Sequence, residues 1–199
     1  MPSPIGHALA GAATAWTADL IAGSHDSEIA VAPGAWYRRA GGSFTIVCMA
    51  LAAAPDLDLL LPGAHRTFTH SLTAAAVVGI VAAVVAARKR RPIARIALTC
   101  ATAYASHILM DWLGVDNYPP RGIQALWPFT HTWFISDFDV FRQTARQQLF
   151  RARNIRANAL AIAQEIAILL PIVAAVWSVR VKTLARLSAK VTGGDQPAE

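Results

Sequence analysis

Histidine and aspartate side chains fall in short, spaced groups along this 199-residue chain, and together they make the donor set of a divalent-metal site. In Ser106-His107-Ile108-Leu109-Met110-Asp111 the i,i+4 spacing stacks an imidazole and a carboxylate on one helix face, where both can grip one cation. A surface ion pair is the plainer reading of that motif alone. Asp56 and Asp58 follow Pro55, where an extended chain would point residues two apart the same way. Two carboxylates so placed repel unless a cation neutralises them; a solvated pair capping a turn is the alternative. In His65-Arg66-Thr67-Phe68-Thr69-His70-Ser71 the histidines are five apart and cannot share a face of a regular helix. This spacing predicts His65 in a loop and His70 in the first turn of the next helix, both reaching one metal, with Arg66 free to hold an anionic substrate oxygen. The alternative for this stretch is an interfacial loop touching lipid headgroups.

His7, in Pro4-Ile5-Gly6-His7, is a further candidate ligand. Glu165 lies about 14 Å inside an apolar segment, where an acid is expensive and usually functional or paired. It reads as a carboxylate that holds metal directly or supports a ligand, against a buried ion pair or polar helix contact. The metal set is therefore His7, Asp56, Asp58, His65, His70, His107 and Asp111, with Arg66, Asp58 and Glu165 as catalytic groups. His131, Asp137 and Asp139 could line the approach, and His25, Asp26 and Glu28 read as solvated loop residues.

The elements that must position these groups are helices. The chain is 55% hydrophobic with a mean hydropathy of +0.40, above an ordinary soluble domain, and its apolar residues come in blocks. Five segments qualify as helices: 7–22, 44–54 (stopped by Pro55), 71–87, 93–113 and 157–179. A spanning helix needs about 20 apolar residues, about 17 at the short end. The last three meet that length, and the first two are marginal. The reading is one domain over 1–199: an all-α, polytopic membrane bundle of four to five helices, with loops at 23–43 and 114–156 and a basic, flexible tail over 180–199.

Charge sets the expected threading. If all five segments cross, Arg38, Arg39, the turn from Arg88 to Arg95, and Arg180, Lys182, Arg186 and Lys190 share one face, which the positive-inside rule makes cytoplasmic. His7, Asp56, Asp58, His65, His70, His107 and Asp111 then converge on the opposite face. The net charge of +6 is clustered around apolar blocks rather than interleaved with aromatics, which argues against nucleic-acid binding. Cys48 and Cys100 form no C-x-x-C pair and read as small buried hydrophobes. No Lys or Arg precedes the first apolar run, so a cleavable signal peptide is not expected. Trp112, Trp127, Phe129, Trp133 and Phe134 read as an interfacial aromatic belt.

Taken together, Pro4-Ile5-Gly6-His7, Ala54-Pro55-Asp56-Leu57-Asp58, His65 through Ser71, His107 through Asp111 and Leu126-Trp127-Pro128-Phe129 make a chain that resembles the YdjM-like family of bacterial inner-membrane proteins. The resemblance implies a multi-pass inner-membrane, metal-dependent hydrolase. The helical H-x-x-x-D element is also similar to those of the all-helical zinc phospholipase C and P1 nuclease enzymes, although this chain lacks their soluble context and an N-terminal Trp ligand.

Seven candidate ligands exceed the three typical of one catalytic zinc, so one or two ions are expected, zinc or manganese by donor type. The expected activity is hydrolysis of a phosphoester in a lipid or lipid-linked substrate through a metal-activated water. Two other readings stand beside it: a transporter binding its ion with the His/Asp groups and Glu165, and a non-catalytic interaction protein that uses metal to lock its helices.

Overall fold

The computed structural model describes residues 1–20, 41–60, 65–145, 148 and 150–193. Among these the chain is all-helical: α1 (Pro4–Ala18), α2 (Ser43–Ala53), α3 (Leu72–Arg88), α4 (Ile93–Leu113) and α5 (Ala152–Gly193), with 3-10 turns over Ala54–Leu60 and Phe68–His70. Residues 114–145 hold only two isolated bridges, Gly114 with Phe141 and Ile123 with Phe134. The loop expected at 23–43 falls largely outside the described residues, as do His25, Asp26 and Glu28.

Local chemistry sets the helix ends that matter for the site. Ser3 caps α1, its Oγ accepting from the Gly6 N–H at 3.3 Å, and Pro4 takes the first helical position, where its missing N–H costs nothing. Ser71 caps α3 by accepting from the Ala74 N–H at 3.1 Å, which stops the helix short of His70. Pro55 lacks the N–H that would continue α2, and the chain tightens into seven residues of 3-10 helix instead of extending. The expected extended Asp56-Leu57-Asp58 stretch is thus helical.

That continuation lengthens the second hydrophobic unit. Ser43–Leu60, Ile93–Leu113 and Ala152–Thr183 are long and apolar enough to cross a membrane, whereas α3, also apolar, is shorter at 17 residues. The expected ranking of segments two and three is reversed accordingly. The last helix is longer than its apolar core suggested: it starts at Ala152 and stays helical through Gly193, across most of the stretch expected to be a flexible tail.

Helix α1 packs on α2, α4 and α5, while α4 also packs on α2 and α3. Small residues bring α1 and α2 together: a Cβ on Gly11 would come within 2.5 Å of the Cys48 carbonyl oxygen. Both cysteines are buried and free. On α5, Ala161, Glu165, Leu169 and Val173 form a buried stripe at i,i+4 spacing. Far from the 3-10 turns, Asp19 at the end of α1 pairs with Arg95 on α4 and with Arg180 on α5, the latter at 2.6 Å.

Candidate metal centre

Five segments converge at the other end of the bundle. The first turn of α1 supplies His7, the last turns of α4 supply His107 and Asp111, the 3-10 helix after Pro55 supplies Asp56 and Asp58, a turn supplies His65, and the 3-10 turn before α3 supplies His70. His70 Nε2 lies 3.1 Å from His107 Nε2, and each stands 3.3 Å from Asp111 Oδ2 and 3.8 Å from Asp56 Oδ1. His7 stacks on His107 with centroids 3.7 Å apart, and its Nε2 is 3.5 Å from Asp111 Oδ1. The donor atoms of His7, Asp56 and His107, of His70, His107 and Asp111, and of Asp56, His65 and His70 form three groups, each within 4.8 Å. Six of the seven residues expected to bind metal therefore come together in one cluster, and Asp58 stands beside it, 3.1 Å from His70 Nδ1.

A 3-10 helix turns about 120° per residue, so Asp56 and Asp58 do not point the same way. They bracket the His70 ring from its two nitrogens. Asp58 Oδ2 is 3.1 Å from His70 Nδ1 and accepts the Arg66 backbone N–H at 3.1 Å and the Thr69 hydroxyl, while its Oδ1 is 2.5 Å from His65 Nδ1. Expected among the ligands, Asp58 instead sits behind them and orients two imidazoles, the common outer partner of a metal-binding histidine. His107 is oriented by backbone: its Nδ1 donates to the Ala52 carbonyl at 2.8 Å, which turns the Nε2 lone pair inward.

Arg66 is committed elsewhere than expected. Its guanidinium is buried, pairs with Asp116, donates to the Tyr118 carbonyl at 3.2 Å and lies 5.6 Å from the centre of the Trp133 ring. Rather than holding a substrate oxygen, it ties the His65–His70 stretch to the 114–145 loop. Its φ of 67° aims the backbone N–H at Asp58, and its carbonyl accepts from Gln124 N at 3.0 Å. Glu165 contacts none of the clustered donors; it accepts the Ser3 N–H at 2.8 Å and the Ser3 hydroxyl, as in the polar-contact alternative.

Sequence reasoning missed Asp116, Ser3, Thr69 and the Ala52 carbonyl. Ser3 carried a signal, as a Ser before Pro at a helix start. Buried Asp116 carried none, because only the fold brings Arg66 and the Gly122 N–H, 2.8 Å away, onto it.

The electrostatics favour a cation. Burial by itself pushes His70 down, but the Asp111, Asp56 and Asp58 carboxylates outweigh it and hold the imidazole well above the ordinary histidine range. Both nitrogens of His7 and both carboxylate oxygens of Asp111 are buried without a hydrogen-bond partner. Each such group costs about 1–3 kcal/mol when left unsatisfied, and a cation among them would satisfy the Asp111 carboxylate and one His7 nitrogen together. The residues present fit a bound metal ion. While His7, His70, His107 and Asp111 are closed off, the side chains of Asp56 and His65 remain 16% and 17% exposed, so the cluster opens on that side alone among these residues.

The fold and site define a helical membrane protein with a buried His/Asp centre at one end of its bundle. The chain belongs to the YdjM inner membrane protein family, which it matches over residues 1–188. No curated protein and no solved structure matches it.

Proposed function

We propose that the chain is a membrane-bound, metal-dependent hydrolase that cleaves a phosphoester in a lipid or lipid-linked substrate. The observation that carries this reading is the convergence of His7 and Asp111, buried and without hydrogen bonds, with the Nε2 atoms of His70 and His107. With Asp56 they would hold one divalent ion, zinc or manganese by donor type. Such an ion supplies Lewis acidity and, from water, a nucleophile at neutral pH.

The opening at Asp56 and His65 separates this site from a closed structural one. His65, held at Nδ1 by Asp58, stands where it would carry a proton to the leaving oxygen. The neighbouring Leu57, Leu59, Leu60 and Phe68 are all exposed, which gives the opening an apolar rim suited to an amphiphile. Glu165, on which an ion-transport reading would depend, is committed to Ser3, and the clustered His/Asp donors gather at one end of the bundle. The site then lies on the membrane face opposite Arg88–Arg91, since α3 runs about 25 Å between them.

Elemental analysis of the detergent-purified chain, together with phosphodiester and phospholipid hydrolysis assays, tests the reading. Stoichiometric metal is expected, with His107→Ala and Asp111→Ala losing both metal and turnover. One ion per chain supports His65 as proton carrier; two ions make it a ligand with Asp56 and His70. Hydrolysis that survives chelation and Asp111→Ala rejects the proposal.

A further inference from the structure

Glu165 is fully buried in α5, yet it touches none of the clustered donors. Its carboxylate grips the first turn of α1 instead: Oε1 accepts the Ser3 N–H at 2.8 Å, and Oε2 accepts the Ser3 hydroxyl, whose oxygen in turn accepts the Gly6 N–H at 3.3 Å. The approach is so close that a Cβ on Gly6 would lie 2.6 Å from Oε2 and 3.2 Å from Met110 Cε, so glycine is what lets the carboxylate reach the helix start. The next residue is His7. Neither nitrogen of His7 is hydrogen-bonded, so the ring is not fixed as the Ala52 carbonyl fixes His107 or Asp58 fixes His70. Its position comes from stacking on His107, from the Asp111 carboxylate 3.5 Å from Nε2, and from where the first turn of α1 is set.

We infer that Glu165 is a positioning residue for the metal centre, acting through Ser3 and Gly6 to set the first turn of α1 so that His7 completes the ligand set. This rests on the metal-site reading above. A buried acid in a spanning helix is costly and calls for a function or a partner; here the partner is the helix cap that carries a ligand. The helix dipole adds to the fit, since a carboxylate is favoured at the N-terminus of α1.

The test uses the full chain in detergent with Co2+ as the probe, its affinity read by competition with a chelating indicator and its ligand set by visible absorption. Glu165→Ala is expected to weaken Co2+ binding about 10- to 100-fold, the size of effect typical of groups that support a ligand, and to change the absorption as His7→Ala does. In a His7→Ala background Glu165→Ala should add little, because the two act through one ligand. Glu165→Gln, whose amide can still accept from the Ser3 N–H, should bind Co2+ more tightly than Glu165→Ala.

Gly6→Ala keeps the Glu165, Ser3 and His7 side chains themselves but displaces the carboxylate. It should repeat the loss, and with Ser3→Ala it carries the test if Glu165→Ala does not fold. Wild-type affinity in Glu165→Ala, full additivity with His7→Ala, or a His7→Ala variant that binds Co2+ normally would each overturn the inference. A wild-type chain that binds no Co2+ overturns the metal reading itself, whereas binding that His7→Ala weakens and Glu165→Ala does not overturns this inference alone.

Discussion

Replacing Asp111 by Asn turns a buried carboxylate into an amide of the same shape, and the response tells a ligand from an ion-pair partner. Asp111 Oδ2 stands 3.3 Å from the Nε2 atoms of His70 and His107, Oδ1 stands 3.5 Å from His7 Nε2, and neither oxygen accepts a hydrogen bond. Apparent zinc-binding energies of about 10–16 kcal/mol, shared among His7, Asp56, His70, His107 and Asp111, give roughly 2–3 kcal/mol per donor, or about 30- to 150-fold in affinity. At zinc concentrations well above both dissociation constants, a 100-fold weaker site loses about 2.7 kcal/mol of zinc-dependent stabilisation. The assay is thermal unfolding of the purified chain with chelator and with buffered zinc. Asp111→Asn should shrink the zinc-dependent rise, whatever it costs the metal-free fold, where Asp111 also pairs with protonated His70. An ion-pair role alone lowers the metal-free midpoint, because cutting one partner of a buried pair costs about 3–5 kcal/mol with no metal present, and leaves the zinc-dependent rise unchanged. A metal-free midpoint that drops by that much, beside an unchanged zinc response, would refute the reasoning.

The remaining predictions follow from the same contacts. Because the carboxylates around His70 hold it above the ordinary histidine range, its protonated form stabilises the metal-free fold below the unfolded value of about 6.5, and that contribution is lost as pH rises through the raised folded value. Zinc must displace this proton, so zinc affinity should rise with pH, by up to about tenfold per unit over the titration; competition titrations that give a flat profile would contradict it. Asp58→Asn removes the charge and leaves one acceptor oxygen where two face His70 Nδ1 and His65 Nδ1, and should weaken zinc binding about 10- to 100-fold without changing the metal count at saturation, a loss of stoichiometry making Asp58 a ligand instead. Arg66→Ala strands Asp116 in the loop and should destabilise the fold by about 3–5 kcal/mol, with Asp116→Asn recovering part of the loss; a double variant no more stable than Arg66→Ala in thermal unfolding would count against the pair.

The members of the cluster were legible because the membrane leaves few places for imidazoles and carboxylates. Apolar blocks give the helices, and threading them sends His7, His70, His107 and Asp111 to one end whatever the detailed packing. His107 and Asp111 were the clearest, since both lie in one regular helix whose period is known. The roles were harder to read than the membership. Whether Asp58 points with Asp56 or away from it depends on the turn after Pro55, a local choice between extended and 3-10 backbone that residue types leave open. Arg66 looked available because its partner, Asp116, lies 50 residues on in an irregular loop. The 3-10 continuation that lengthens the second hydrophobic unit, and the extension of α5 from Ala152 through Gly193, are tertiary outcomes in the same sense.

The two ends of the bundle work together on α1. At the metal end α1 meets α4 through His7 with His107 and Asp111, and α5 through Ser3 with Glu165. At the far end the same three helices meet again, Asp19 pairing with Arg95 of α4 and Arg180 of α5. His7 and Asp19 are twelve residues apart, about 18 Å along the helix. A slip of α1 by one residue would move His7 by about 1.5 Å and turn it by about 100°, out of reach of Asp111, and would break the Asp19 pairs at the same time. Small residues such as Gly11 allow close packing along that length but would tolerate sliding, because Ala and Gly surfaces look alike from one turn to the next. The charged contacts are what distinguish one register from its neighbours. A buried pair adds little net stability over apolar packing, so its contribution here is to specify the register that brings His7 to the cluster.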